Sequence, residues 1–396
     1  MLNVNKNCTA CGACVQICPQ KCIQLEKDSL GFEYPSINAE QCINCGLCEK
    51  SCHLNYPNMR NTKSQRAYAA IHTSTDVCLK STSGGAFGAI AEHVLQNHGV
   101  VYGCGYSEEL KAVHMRVDRI ENLIALQGSK YVQSEIGDTY FLAKQDLLEQ
   151  KTVLFSGTPC QIAGLKAFLG KEYSNLLTVD FVCHGVPPYA LFKKYLAWFE
   201  KKHSMSVKNY DFRAKANAGW GSSGMASGVN KNGLSKKRKI FYHNEYYYHY
   251  FLTGEISRDS CYVCKYANLD RPGDFSLGDL WGAEGFDLPF SIQNGCSLLL
   301  ANNEKANKLL SVLSLVCTEI SIDQASKNNA QLMAPIAKSK SRDEILRSLA
   351  DDDPLKIDRD FRKKYFLHRL KGKIKHLVPN KLRHVILRYK YKNNHG

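Results

Sequence analysis

Residues 152–170, TVLFSGTPCQIAGLKAFLG, decide the fold of the chain's body. Thr152, Val153, Leu154 and Phe155 are apolar or β-branched and run into Ser156-Gly157-Thr158-Pro159, after which an apolar helical pattern begins. A strand that turns into a helix is the expected result. Residues 176–200, LLTVDFVCHGVPPYALFKKYLAWFE, repeat the arrangement. The two strands start roughly 25 residues apart, the interval of a βαβ unit in a parallel sheet. Cys160 and Cys183 then fall at the carboxyl ends of neighbouring parallel strands, where open α/β sheets bind ligands.

Two further segments belong with this pair. Residues 66–105 read as a strand (RAYAAIH), a Gly-containing turn with a helix ending near Gly99, and a second strand (VVYGCGY). In the turn, Ser81, Thr82 and Ser83 are N-cap types, and Gly84-Gly85 lets backbone approach a ligand such as phosphate. Residues 261–282, CYVCKYANLDRPGDFSLGDLWG, supply Cys261 and Cys264 as a CxxC, with Asp274 and Asp279 flanking a short strand as expected turn formers. By spacing alone Cys160, Cys183, Cys261 and Cys264 are two single thiols and a pair. Packed cysteines, a redox dithiol and half a zinc site all remain open.

The head is more explicit. Residues 8–19 (CTACGACVQICP) and 42–52 (CINCGLCEKSC) both have the spacing C-x2-C-x2-C-x3-C, at an interval of 34 residues. Three closely spaced thiolates wrap one cubane, and the x3 step sends the fourth cysteine to the other. This assigns Cys8, Cys11, Cys14 and Cys52 to one [4Fe–4S] centre and Cys42, Cys45, Cys48 and Cys18 to a second. Gly12 and Gly46 serve tight turns, GFEYPSIN suits a hairpin between the halves, and Cys22 lies outside the spacing as a packed thiol. Zinc, the alternative, prefers two CxxC pairs about 15–20 residues apart.

At 396 residues, 44% hydrophobic and 22% charged, the chain has room for two or three domains with full cores. Its 17 cysteines are too dilute for a disulfide scaffold. The N-terminus lacks the basic and apolar regions of a secretory signal, and no apolar run reaches membrane-spanning length. A cytoplasmic location is expected, with thiols reduced and available to metal. Of the formal charge of +15, the last 36 residues supply 12 Lys/Arg and no Asp or Glu. In this tail Phe366, Leu370, Ile374 and Leu377, then Leu382, Val385, Ile386 and Tyr389 beyond Pro379, recur at helical spacing among basic residues. That pattern suits the anionic inner face of a membrane or an acidic partner; a solvated helix packed on the body is the plain alternative. No aromatic platform supports nucleic-acid binding.

STSGGAFG (81–88), GSKYVQS (128–134), FSGTPCQ (155–161), VCHGVP (182–187) and the CxxC segment occur in one order. In this the chain resembles the beta-subunit family of the coenzyme F420 (8-hydroxy-5-deazaflavin) hydrogenases and dehydrogenases, over roughly residues 66–300. The resemblance implies FAD and a third [4Fe–4S] cluster held by Cys160, Cys183, Cys261 and Cys264. It also implies a flavin site lined by Ser83, Gly84, Gly85, Lys130 and Tyr131. Read from the residues alone, Lys130 is equally a surface lysine.

The expected architecture is an α+β two-cluster ferredoxin-like head (1–60), an α/β flavin-binding body with a mixed or parallel sheet (61–145 and 146–360), and a basic helical tail (361–396). The expected function is an iron–sulfur flavoprotein oxidoreductase that passes electrons between a ferredoxin-like or other redox partner and a small-molecule hydride acceptor. Members with such tails also resemble proteins associated with surface-polysaccharide assembly, and this resemblance implies a glycan-linked acceptor. The alternatives are a non-catalytic electron carrier and a true deazaflavin reductase subunit.

Overall fold

The computed structural model describes residues 4–55 and 65–377. Residues 56–64 and the second half of the tail, with Leu382, Val385, Ile386 and Tyr389, lie outside the described residues. The head contributes an antiparallel hairpin, β1 (Ile23–Lys27) and β2 (Glu33–Ile37). Gly12 and Gly46 sit at φ 80° and 72°, each opening the short helix of its cysteine motif.

The body is organised by an eight-stranded sheet built from β3 (Arg66–His72), β4 (Val100–Tyr106), β5 (Ala112–Val117), β6 (Val153–Gly157), β7 (Leu176–Phe181), β11 (Phe275–Asp279), β12 (Ser297–Ala301) and β13 (Leu315–Ile320). The order across it is β13-β3-β12-β11-β7-β6-β4-β5. The centre, β11-β7-β6-β4, is parallel, and both flanks are antiparallel. A continuous apolar run is what a central parallel strand needs, since both its faces are covered. Val153, Leu154 and Phe155 are accordingly buried, between helix Ala86–Gln96 on one face and helix Pro159–Leu169 on the other.

The βαβ unit forms as its sequence predicts. The carboxamide of Gln161 accepts from the Thr158 N–H at 2.9 Å, Pro159 occupies the first turn, and Gly170 ends the helix at φ 67°. The cap fixes Cys160 in the first turn, beyond the carboxyl end of β6.

A second layer was not foreseen. β8 (Ser206–Asp211), β9 (Ser223–Val229) and β10 (Ser235–Phe241) form an antiparallel sheet. It packs with helices Tyr189–His203 and Tyr246–Leu252 around an aromatic core that includes Phe192, Tyr195, Tyr210, Phe212 and Tyr247. Helix Pro354–Lys364 runs through the start of the basic stretch and plants Ile357 and Phe361 in this core. The next helix, Phe366–Leu377, instead leaves Phe366, Leu367, Leu370 and Ile374 exposed, at 61%, 69%, 45% and 56%.

Within the aromatic core Glu245 is buried and accepts from the Tyr195 hydroxyl at 3.0 Å, which in turn contacts the Tyr210 hydroxyl at 2.9 Å. Burial pushes the Glu245 carboxyl up to about 7, against the pull of Lys202 and the Tyr195 bond. A raised carboxyl pKa means that the folded state holds the proton longer than the unfolded chain does. Glu245 therefore favours folding least above pH 7, and its contribution declines as pH rises from the ordinary carboxylate range through about 7. Glu245→Gln is expected to stabilise the protein at pH 8, by about 3 kcal/mol at most, and to flatten the pH dependence below 7. Thermal unfolding followed by circular dichroism at pH 5 and 8 checks this; equal shifts at both would contradict it.

Candidate functional site

A cavity of about 660 Å³ lies at the seam of head and body. Its wall includes Cys8, Cys11, Cys14 and Cys52 from the head and Cys160, Cys183, Cys261 and Cys264 from the body. A second, smaller cavity of about 90 Å³ is bordered by Cys18, Cys42, Cys45 and Cys48, with Cys22 beside them. Eight of the twelve cysteines named in the sequence reading thus line one cavity, and the other four border a second.

Cys160, Cys183 and the Cys261–Cys264 pair are placed by separate devices. Cys160 follows the Thr158 cap, and its sulfur lies 3.1 Å from Thr158 Oγ1. Cys183 follows β7. The segment with Cys261 and Cys264 is tied to β7 by Arg271, which donates to Asp180 Oδ1 at 2.6 Å and to the carbonyls of Tyr266 and Phe181. This ion pair is buried, with side-chain exposures of 1% and 0%. Asp180 also accepts from the Gly273 N–H, and Asp274 accepts from both the N–H and the hydroxyl of Thr178 at 2.7 Å. Asp274 is therefore a clamp between strands, which its expected role in a turn did not include. Gly185 stands at φ 93°, and a Cβ there would meet Ser257 Oγ at 2.6 Å and Cys261 Cβ at 3.3 Å.

Head and body share the cavity wall closely. A Cβ on Gly164 would lie 2.8 Å from Cys11 Sγ, so helix Pro159–Leu169 receives the head cysteine where it has no side chain. His53, buried, contacts Thr9 Oγ1 at 2.9 Å and the Tyr266 hydroxyl at 2.6 Å. Lys265 donates to the carbonyls of His53 and Leu54.

The thiols crowd one another. Burial pushes Cys160 up to about 11, with Cys264 adding to the rise, and Cys261 up to about 12, with Cys160 and Cys264 adding. Burial raises Cys183 well above the usual thiol range, and Cys261, Cys160 and Cys264 push the same way. Burial takes Cys14 to about 12, reinforced by Cys8, Cys52 and Cys48. Cys11 is raised by burial and also feels Cys160 across the seam. A cationic iron core, binding thiolates, reverses this penalty. Among the described residues no three His, Cys, Asp or Glu side chains close on a point suited to a single metal ion.

The remaining cysteines are placed apart from these groups, with one exception. Cys78 and Cys296 are buried, and Cys104 and Cys317 half-buried, in the body. Cys22 Sγ, however, lies 3.4 Å from Cys18 Sγ, so a fifth thiol borders the outer set.

The expected flavin segments do meet one another. The Thr82 hydroxyl accepts from the Ser129 N–H at 3.1 Å. Two residues missed in the sequence reading extend the link: Lys215 donates to the Ser83 carbonyl, and Arg213 reaches the Tyr131 hydroxyl at 3.2 Å while pairing with Asp279 at 3.0 Å. Trp220 donates to Asp279 at 2.7 Å and stacks on Trp281 with centroids 5.3 Å apart. Burial lowers the His184 pKa, partly offset by Asp279. Other expected roles are taken up internally. Lys130 is half-buried and donates to the carbonyls of Ala125 and Gln127. Tyr131 stacks on Phe251 at 4.3 Å. A Cβ on Gly84 would lie 2.2 Å from the Ala70 carbonyl oxygen, so the sheet itself requires that glycine. Ser83 donates to the Cys296 carbonyl.

A ferredoxin-type head set against a mixed α/β body, with cysteines gathered at the seam, defines an iron–sulfur electron-transfer protein. Comparison with known families makes this specific. Residues 7–55 match the 4Fe-4S dicluster domain. Residues 150–323 match the family described as the C terminus of the coenzyme F420 hydrogenase/dehydrogenase beta subunit, so this part of the chain is related to those oxidoreductase subunits. A chain in the xenon-derivatised F420-reducing [NiFe] hydrogenase complex from Methanosarcina barkeri is similar at 16% identity and a TM-score of 0.40, covering 76% of this chain and 91% of that one. Comparison with curated proteins returns no match.

Gly164→Val is expected to displace Cys11 and lower the iron content by about four atoms, one cubane. Iron analysis beside the wild-type protein checks this; unchanged iron would show that the seam yields without loss.

Proposed function

We propose that the chain is an iron–sulfur flavoprotein oxidoreductase with three [4Fe–4S] centres and FAD. The carrying observation is the seam cavity, whose wall holds four thiols from the head and four from the body. Cys8, Cys11, Cys14 and Cys52 would hold an inner head centre; Cys42, Cys45, Cys48 and Cys18 an outer one; and Cys160, Cys183, Cys261 and Cys264 a third, in the body. FAD, when bound, supplies conversion between one- and two-electron chemistry. The joined Ser83 and Tyr131 segments, reached by Lys215 and Arg213 beyond Cys183-His184, support a flavin site there, with Gly85 and Lys130 alongside. The residues order the path: outer head set, inner head set, body set, then the Arg213–Asp279 cluster, with a redox partner at one end and a small-molecule acceptor at the other.

A flavin-free electron carrier is the second reading. The observation favouring it is Gly84, whose open position is already used by the Ala70 carbonyl.

The tail supports a membrane-surface location, and through it the polysaccharide-linked acceptor that the family resemblance suggests. In helix Phe366–Leu377 the His368 ring packs on Tyr242 and His249, which turns Phe366, Leu370 and Ile374 outward among lysines and arginines. No helix among the described residues is long and apolar enough to cross a membrane.

Anaerobically reconstituted protein should hold about 12 irons, and Cys160→Ser about eight with the head spectra intact. Iron unchanged by that substitution would remove the body centre. A released flavin, bleached by dithionite and reoxidised by a small molecule, separates the enzyme from the carrier. For the tail, the triple variant Phe366→Ser, Leu370→Ser, Ile374→Ser should weaken sedimentation with phosphatidylglycerol vesicles more than about tenfold. A wild-type protein that ignores such vesicles at low salt would refute the membrane role.

A further inference from the structure

Arg258 is 1% exposed and lines the seam cavity. Its guanidinium donates to the Cys8 carbonyl at 3.2 Å, to the Glu33 carbonyl at 2.7 Å and to Gln133 Oε1 at 3.1 Å. It lies over the rings of Tyr34 and Phe32, at 4.6 and 5.4 Å. Every one of these partners is neutral; among the described residues no carboxylate pairs with it. A guanidinium removed from water with no countercharge is costly, and such groups occur where negative charge is close at hand. It lines the same cavity wall as Cys8 and Cys52 on the head side and Cys160 and Cys261 on the body side.

We infer that Arg258 is the shared countercharge of the inner head centre and the body centre, and that it raises the reduction potential of both. This rests on the three-centre reading above. Each four-thiolate cubane is anionic when oxidised and gains one further negative charge on taking up its single electron. A fixed cation between the two favours the reduced form of each. It also screens the repulsion that an electron on one centre exerts on an electron arriving at the other. The outer set, Cys18, Cys42, Cys45 and Cys48, borders a separate cavity that Arg258 does not line, so its potential should be indifferent. Arg258 is thus a positioning and tuning residue, holding the head hairpin on the body through the Glu33 carbonyl while setting the charge between the centres.

Three substitutions test this in the full-length, anaerobically reconstituted protein. Arg258→Met removes the charge. Gln133→Glu leaves Arg258 in place and sets a carboxylate against it, so it neutralises the charge even if Arg258→Met fails to retain its iron. EPR-monitored redox titration should show two centres moving to lower potential in either variant, with the third unmoved, and Arg258→Lys staying near wild type. Full iron with unmoved potentials in Gln133→Glu, or an equal shift of all three centres, would overturn the role of Arg258 alone. Wild-type iron near eight instead of about twelve would remove the body centre, and with it both readings.

Discussion

The arrangement depends on one close approach: the sulfur of Cys11 against the bare α-carbon of Gly164. The helix that carries Gly164 begins with the Thr158 cap and Cys160, so one rigid element faces the head set with its second turn and presents a body thiol from its first. Its position is set by the βαβ crossover between β6 and β7, whose strands are buried on both faces and have little freedom to shift. A larger residue at 164 would push the head away and open the cavity that the eight thiols share.

The body set needs a second constraint, because its CxxC arrives from a loop about eighty residues beyond Cys183. The Arg271–Asp180 pair and the Asp274–Thr178 bonds supply it. Buried ion pairs often contribute little net stability against well-packed apolar side chains, so their value here lies in register. Each nitrogen of the Arg271 fork finds an oxygen on β7, on its own loop or on β11, and the loop is held in one position relative to the strand that ends before Cys183.

Much of this was legible in the sequence, for physical reasons. Strand and helix at 152–170 follow from local pattern and a cap, and the head centres follow from thiolate spacing on a short loop. That Cys160, Cys183, Cys261 and Cys264 line one cavity did not follow from spacing; the expectation came from the family resemblance, since proximity across the chain is a property of sheet order. Arg258 was invisible because a lone arginine in EISRDSC has no periodicity, and its meaning depends on which carbonyls surround it. Arg213, Lys215 and the β8–β10 layer were missed for a similar reason: their partners Asp279, Ser83 and Tyr131 are distant in the chain. Gly84 carries a constraint that the sequence does not show: a glycine read as room for a ligand is also required by the neighbouring strand.

The two cavities differ in shelter as well as size. Cys11 and Cys14 are buried, whereas Cys45 is exposed, with Ile43 at 59% exposure next to it. On the proposed assignment, dioxygen meets the surface centre first. On that assignment air would disconnect the protein from its redox partner before damaging the interior centres, so that brief oxidative injury interrupts electron transfer while leaving the buried centres intact.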